Sequence, residues 1–398
     1  MRQVKTALQI TMSHVNNYGS VLQAYALQRV VESVPGWECK NLLIPPSEFN
    51  RYLQKYEHQE GFVRRNFRAI RREGVSVVFK KLFELIKGML RPQCDYVFRD
   101  FVRENLNRTE NVVTRESLYT NPPIAHLYVT GSDQTLNPKF THADPIWFFD
   151  FVDRCRAERK FRKIAYAASI AMSCMSPANQ DIYRQALASY DSISLREGSG
   201  VDLAREMGVQ ASHCVDPTVL LGRDFWRNFS KNSNLTLPPK FILCYNLTYY
   251  VNPYPMARQV ERAASRQLGV PIIYLDCGFL RFSPHLLSRA IPVSVRDFVS
   301  LFFNASLVLT SSYHGTIFSL LAGRPFVTYV AADNSYDSRA ADLLNACAAT
   351  HHAMQIGMRK VGRFDVNDYC TSSQEQAHLA NMRKASMDWL KEEMRLAE

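Results

Sequence analysis

The sequence predicts an α/β chain of two doubly wound domains, each a parallel sheet covered by helices on both faces, with a cleft between them. Three observations carry this. Short apolar runs that read as buried strands alternate with helical stretches through most of the 398 residues, the pattern of parallel sheets. The alternation stops over 223–239, where Asn228, Asn232, Asn234, Pro238 and Pro239 collect, and then restarts; such a stretch marks a linker. A hydrophobic content of 46% over this length suffices for a sizeable core in each half.

The elements follow in order. Gln3–Thr11 reads as a strand, and from Gly19 the residues Val21, Leu22, Tyr25, Ala26 and Val30 recur at helical spacing. With the loop Met12–Tyr18 between them, this is a strand–loop–helix opening. A helix start at a sheet's carboxyl edge offers N–H groups to an anion. Cys39–Ile44 is a second strand, ended by Pro45-Pro46. Residues 47–115 are charged and helical in pattern, and read as an insertion. Strands are expected over Ile124–Thr130, Lys163–Ser169 and Ser192–Leu195, and helices over Gln185–Tyr190 and Gly200–Met207, completing an N-terminal domain of residues 1–222. After the linker, a C-terminal domain over 240–372 is expected to hold strands Phe241–Asn246, Pro271–Leu275, Ser306–Thr310 and Pro325–Val330. Helices Tyr254–Leu268, Val295–Asn304 and Thr316–Leu321 alternate with them, and a helix over 373–398 follows. Ligands of doubly wound domains bind at the carboxyl ends of the strands, so the cleft is the expected site.

Composition excludes several classes. The nine cysteines are odd in number and scattered, with no C-x-x-C pair and no Cys/His cluster at zinc spacing. They read as buried thiols in a reducing cytoplasm, and no metal site is expected. The first residues lack the apolar core and cleavage site of a secretion signal, and no run of eighteen apolar residues exists to span a membrane. The G-x-G-x-x-G and G-x-x-x-x-G-K-[ST] phosphate loops are absent, which counts against a nucleotide donor bound in the usual ways. The net charge of +11 is concentrated over 62–91, where nine basic residues face two acidic ones among many apolar side chains. A basic amphipathic helix of this kind suits an anionic membrane surface; the alternative is a helix that packs its apolar side on the body and solvates its charges. No helix-turn-helix, RNP or zinc-finger pattern points to nucleic acid.

Four constellations could carry chemistry. In Thr310-Ser311-Ser312-Tyr313-His314-Gly315-Thr316 an apolar strand stops at small hydroxyl residues, and a histidine stands at the turn before a helix. Such a histidine can hold or give a proton near neutral pH, or merely hydrogen-bond the turn. In Ser194-Leu195-Arg196-Glu197 the arginine is placed to fork onto a carboxylate or phosphate, or to pair with Glu197 or another carboxylate. Asp133, in Gly131-Ser132-Asp133-Gln134, could act as a base, orient a hydroxyl or cap a helix. His14 with Asn16-Asn17-Tyr18-Gly19 reads equally as a turn or as a substrate contact. Asp216-Pro217 reads as a structural turn.

These pieces, in this order, resemble the polysaccharide pyruvyl transferase family. The matching segments are Asn17 to Gln28, Gly131 to Gln134, Tyr166 to Ser169, Ile193 to Glu197, Val215 to Thr218 and Ser311 to Phe318. The resemblance implies two Rossmann-like domains in a GT-B-like arrangement. It also implies a cytoplasmic enzyme, at work in the cytoplasm or at the inner face of the plasma membrane, that forms a pyruvate ketal. Phosphoenolpyruvate is the donor and co-substrate, and no other cofactor is implied. Two hydroxyls of a sugar in a surface polysaccharide, or in its polyprenyl-diphosphate-linked precursor, accept, and phosphate leaves.

By the same resemblance His314 is the catalytic acid and Arg196 the donor clamp. Ser311, Ser312, Tyr313 and the helix start at Gly315 and Thr316 would assist in binding, with Asn17, Tyr18 and His14 on the facing loop and Asp133 orienting or deprotonating hydroxyls. The sequence departs from the pattern at Ser312, where some members carry arginine. Arg296, Arg324 and Arg339 are candidates for the missing cation, and Arg339 is preferred. Two rival readings remain: a GT-B glycosyltransferase using a nucleotide sugar, and a non-catalytic partner in polysaccharide assembly.

Overall fold

The computed structural model describes residues 4–44, 95–109, 113–231, 233–248, 251–276, 278–282, 290–331, 338–357 and 362–397. Most of the expected insertion, and all of the basic stretch over 62–91 proposed for a membrane surface, lie outside the described residues.

Two sheets organise the chain. The first holds β1 (Lys5–Ile10), β2 (Trp37–Asn41), β3 (Leu127–Thr130), β4 (Arg162–Ala168), β5 (Ser192–Leu195) and β6 (Ser212–His213) in the order β2-β1-β3-β4-β5-β6. Each of its pairings is parallel. The second holds β7 (Ile242–Tyr245), β8 (Ile272–Asp276), β9 (Phe279–Arg281), β10 (Ala290–Pro292), β11 (Leu307–Thr310), β12 (Phe326–Val330) and β13 (Ala353–Gln355) in the order β10-β9-β8-β7-β11-β12-β13. It is parallel from β8 to β13. At its other edge β9 runs antiparallel to both neighbours, an extension too short, at three residues per strand, to announce itself in the sequence.

The strands form because they are short, apolar and β-branched, and parallel sheets bury such runs on both faces. Every residue of β3, β7, β11 and β12 is buried. The two expected α/β domains with parallel sheets are therefore the observed architecture. Residues 223–230 of the expected linker are helical instead. They finish the helix Pro217–Ser230, whose axis is broken at Gly222 (φ 75°).

One apolar cluster runs across both halves, while each half keeps a second cluster of its own. The helix Tyr18–Glu32 of the first half is buried over most of its length, as a helix apolar on nearly all sides must be. Tyr18 stacks on Phe298 of the second half at 4.4 Å and donates from its hydroxyl to the Val293 carbonyl at 2.8 Å. Trp226, fully buried, packs edge-on against Phe318 and beside Tyr25. The C-terminal helix Ser373–Leu396 spans both halves, about 36 Å at 1.5 Å per residue. Near its start Gln376 donates to the Leu320 carbonyl in the second half. Farther along Ser386 accepts from the Val215 amide, and Glu393 pairs with Arg162 at 2.6 Å and accepts from Ser192 in the first half. Among the described residues no helix is long and apolar enough to cross a membrane, and the described cysteines are all free thiols.

Candidate active site

Each sheet has a point where the chain reverses the direction of strand addition, and such points open a crevice at the carboxyl ends of the strands. In the first sheet it lies between β1 and β3, and in the second between β7 and β11. The two crevices meet. A pocket of about 190 Å³ lies there, lined from the first half by Met12, Val15, Asn17, Ser20, Asp133, Gln134 and Phe140, and from the second by Leu247, Ser311, Ser312, Tyr313, His314 and Arg339.

His314 enters this pocket from the first turn of the helix Tyr313–Ala322, which begins three residues earlier than the periodicity suggests. Ser312 caps that helix, its hydroxyl accepting from the Gly315 amide at 3.3 Å. The imidazole is wedged between two elements of the other half. Its Nε2 lies 3.3 Å from an Asp216 carboxylate oxygen, in ion-pair range but not aligned as a hydrogen bond. Its Nδ1 edge faces Gly19, where an added Cβ would stand 2.0 Å from Nδ1. Glycine is required at 19 because the ring occupies the space of a side chain.

Asp216 is the hub of the site, and it is fully buried. One oxygen accepts from the Thr218 amide and hydroxyl at 3.0 and 2.7 Å, which caps the helix Pro217–Ser230. The other accepts from Arg196 Nη1 at 2.9 Å and Ser132 Oγ at 3.1 Å and faces His314. Burial alone would raise this carboxyl; the charges of His314 and Arg196 and the donors around it outweigh burial and hold it well below the usual carboxylate range. Asp216 is thus an anion fixed beside the histidine. The sequence shows the turn but not the hub, because its partners at 132, 196 and 314 are distant in the chain.

Arg196 lies one layer behind the pocket. Its side chain has no exposure; Nε donates to Glu197 at 3.0 Å, Nη1 to Asp216, and the guanidinium lies 4.2 Å from the Tyr313 ring centre. The pairing with Glu197, one of the two readings open in the sequence, is the contact formed. Burial pushes Glu197 above its usual range against the pull of Arg196. The Nη2 of Arg196 is buried with no hydrogen-bond acceptor among the described residues.

The remaining candidates separate into those at the pocket and those in the core. Asp133 lines the pocket in a left-handed backbone conformation (φ 71°). Its carboxylate accepts from Ser20 Oγ at 2.5 Å and from the Gln134 amide at 2.9 Å. Asn17 lines it too, and caps the helix Tyr18–Glu32 by accepting from the Gly19 and Ser20 amides. Ser311 lines it while its hydroxyl accepts from the Leu247 amide at 2.9 Å, tying β11 to the loop after β7. Arg339, 5% exposed, reaches it from the start of the helix Arg339–Ala346. That helix is latched across the halves, Asp342 accepting from the Ser199 amide and hydroxyl at 3.1 and 2.6 Å.

Four expected contacts differ. Tyr18 is a core residue joining the halves, because its ring is stacked and its hydroxyl bonded away from the pocket. Gly315 and Thr316 do not line the pocket. The Gly315 amide is held by Ser312, and an added Cβ there would lie 2.3 Å from Thr310 Oγ1. The Thr316 amide bonds the Ser312 carbonyl and its hydroxyl meets Thr328. His14 does not line the pocket; its ring is tilted against Trp147 at 6.5 Å between centres, and burial pulls its pKa down to about 4 against the opposing charge of Asp133. Of the other cation candidates, Arg324 donates to the Phe303 carbonyl and Arg296 lies over the Phe229 ring. Sequence reasoning missed Ser20 and the apolar wall of Met12, Phe140 and Leu247, since neither one hydroxyl on a helix nor isolated apolar residues in loops and a four-residue helix carry a periodic signal.

A family model described as "Polysaccharide pyruvyl transferase" matches residues 17–334. No curated protein gives a significant match. In structure the chain is similar to S. aureus MnaA in a co-structure with UDP, with a TM-score of 0.51, 9% identity and 97% of each chain covered. It is also similar to the UDP-GlcNAc 2-epimerase of Methanocaldococcus jannaschii, with a TM-score of 0.47, 9% identity and 95% of this chain and 99% of that one covered. Arabidopsis thaliana UGT89C1 matches with a TM-score of 0.45 and 10% identity over 98% of this chain and 96% of that one. At 9% identity the likeness to MnaA speaks for the fold alone.

Proposed function

We propose, for a chain that belongs to the polysaccharide pyruvyl transferase family, that the His314 pocket binds phosphoenolpyruvate and transfers its three-carbon unit to two hydroxyls of a sugar as a ketal. The observation that carries this is the buried Asp216 anion set 3.3 Å behind a pocket-lining histidine. An adjacent carboxylate stabilises an imidazolium, and an imidazolium is what a general acid for an enol ether must be.

In this reading His314, which lines the pocket, gives a proton to the methylene carbon of the donor. Positive character develops at the neighbouring carbon, and the first sugar hydroxyl attacks it, losing its proton to His314 or Asp133. The carbon–oxygen bond to phosphate then breaks, inorganic phosphate leaves, and the second hydroxyl closes the ring with loss of its own proton. Asp133, oriented by Ser20, faces the hydroxyls. Arg196, neutralised by two carboxylates, is a positioning residue that keeps Asp216 ionised and in place. The cationic charge offered to the donor comes from Arg339 and protonated His314, which answers for the arginine absent at Ser312. The Ser311 and Ser312 hydroxyls hold the loop that presents the histidine.

The acceptor we propose is a sugar of a surface polysaccharide or its lipid-linked precursor, met at the inner face of the plasma membrane. The +7 charge of residues 62–91 supports an anionic surface there, and flotation with anionic vesicles, with and without those residues, tests it. The donor is tested by a thermal-shift panel. Phosphoenolpyruvate should raise the melting temperature of the protein and fail to do so in Arg339→Ala, whereas UDP and GDP sugars should not. Stabilisation by nucleotide sugars alone would replace this reading with glycosyl transfer. No stabilisation by any small anion would favour a non-catalytic assembly role.

A further inference from the structure

Away from the pocket, two histidines and a glutamate converge where the C-terminal helix begins. His351 and His352 close a short 3-10 turn leading into β13, and Glu375 is the third residue of the helix Ser373–Leu396. His351 Nε2 lies 3.4 Å from Glu375 Oε1, and His352 Nε2 lies 3.2 Å from Glu375 Oε2. The three candidate donor atoms fall within 4.8 Å of one another. The two imidazoles lie against each other, 4.1 Å between centres, and His352 is stacked on Phe326 at 3.7 Å.

The tautomer of His352 gives this arrangement its meaning. Its Nδ1 lies 2.8 Å from the Phe326 carbonyl oxygen, which can only accept, so Nδ1 carries a proton. Nε2 points at a Glu375 carboxylate oxygen at 3.2 Å, and His351 Nε2 approaches the other oxygen of the same carboxylate. A histidine whose Nδ1 donates to a backbone carbonyl while Nε2 faces other donors is the usual outer arrangement of a metal ligand. Each histidine–carboxylate distance, 3.4 and 3.2 Å to different oxygens of Glu375, is close to the roughly 3.3–3.5 Å that bonds of about 2.0–2.2 Å at a tetrahedral angle set between donor atoms.

We propose that His351, His352 and Glu375 bind one divalent transition cation of the zinc class, with solvent completing the shell on the side of the half-exposed His351. Two imidazoles and a carboxylate suit zinc, cobalt and nickel and disfavour magnesium and calcium. The site would join the second sheet to the first turn of the helix that reaches across to Arg162 and Ser192. It is a structural clasp on the domain pairing rather than part of the reaction.

The test uses the full chain, purified without a polyhistidine tag and stripped with chelator. Titration with Zn2+ should show one equivalent bound and a rise in melting temperature, and Co2+ should give the intense visible absorption of a tetrahedral site. His351→Ala, at a position 42% exposed and so tolerant of change, should weaken binding by at least about 100-fold, beyond the 10–100-fold cost of losing even an outer-shell partner. Glu375→Gln, which keeps the side chain's shape and its acceptor for the Ser372 amide, should do the same. Absence of binding, or affinity unchanged in both variants, overturns the proposal; the latter outcome would mark an adventitious ion held elsewhere.

Discussion

Gly19→Ala adds one methyl group whose position is known. An ideal Cβ at 19 lies 2.0 Å from His314 Nδ1, 2.3 Å from its Cγ and 2.7 Å from its Cε1. Ordinary carbon contacts begin near 3.5 Å, so the ring must retreat by roughly 1.5 Å or the helix must move away from it. On its other edge the ring meets Asp216 at 3.3 Å, so retreat disturbs that contact as well. A displacement of about 1 Å in a reacting group costs about 100-fold in rate, and at least that loss is expected. Stability should change far less. Alanine gains up to about 1 kcal/mol over glycine in a helix, against about 1–3 kcal/mol for overpacking. The assay is phosphate release from phosphoenolpyruvate with a lipid-linked glycan acceptor, read beside a thermal melt and the imidazole nitrogen NMR signals of His314. A folded Gly19→Ala protein with turnover within about threefold of the parent and unmoved His314 signals would refute the packing argument.

Other predictions follow from the same contacts. Asp216→Asn should destabilise by about 3–5 kcal/mol at neutral pH, the usual cost of removing one partner of a buried pair, as measured by denaturant melts. Because the folded Asp216 carboxyl lies below its unfolded value of about 3.9, its stabilisation is present above that pH and lost as pH falls toward the folded value; the variant should lose that part of the acid dependence. Tyr18→Phe should cost about 1 kcal/mol through the lost bond to the Val293 carbonyl, with phosphoenolpyruvate affinity unchanged in a titration; lost affinity would return Tyr18 to the pocket. Gly315→Ala should cost about 1–3 kcal/mol from the clash with Thr310 Oγ1. A double-mutant cycle with Thr310→Ala should recover at least about 0.5 kcal/mol of it, and additivity would contradict the clash.

What could be read from the sequence, and what could not, divides along physical lines. Strands such as Ser192–Leu195 and the helix Val295–Asn304 were legible to the residue, because burial on both faces or one writes a period into the chain. The start of the helix bearing His314 was not, because Tyr313-His314-Gly315 is held helical by the Ser312 cap rather than by apolar spacing. His314, Asp133, Asn17, Ser311, Ser312, Tyr313 and Arg339 meet at one pocket. Arg196 shows the harder case. Its place at a strand end was legible, but its contact with Asp216, which follows it by twenty residues, was not. The His351–His352 pair escaped notice for the same reason, since its third partner, Glu375, stands twenty-three residues on and belongs to another element.

The sharpest test of the central claim is the single-turnover rate of phosphate release from phosphoenolpyruvate in His314→Ala. General acid catalysis is worth about 10²–10⁴-fold, so the rate should fall by at least 100-fold while Arg339 still lets phosphoenolpyruvate stabilise the folded protein. A rate close to that of the parent would show that the imidazole beside Asp216 is not the acid, and the proposed chemistry would fall with it.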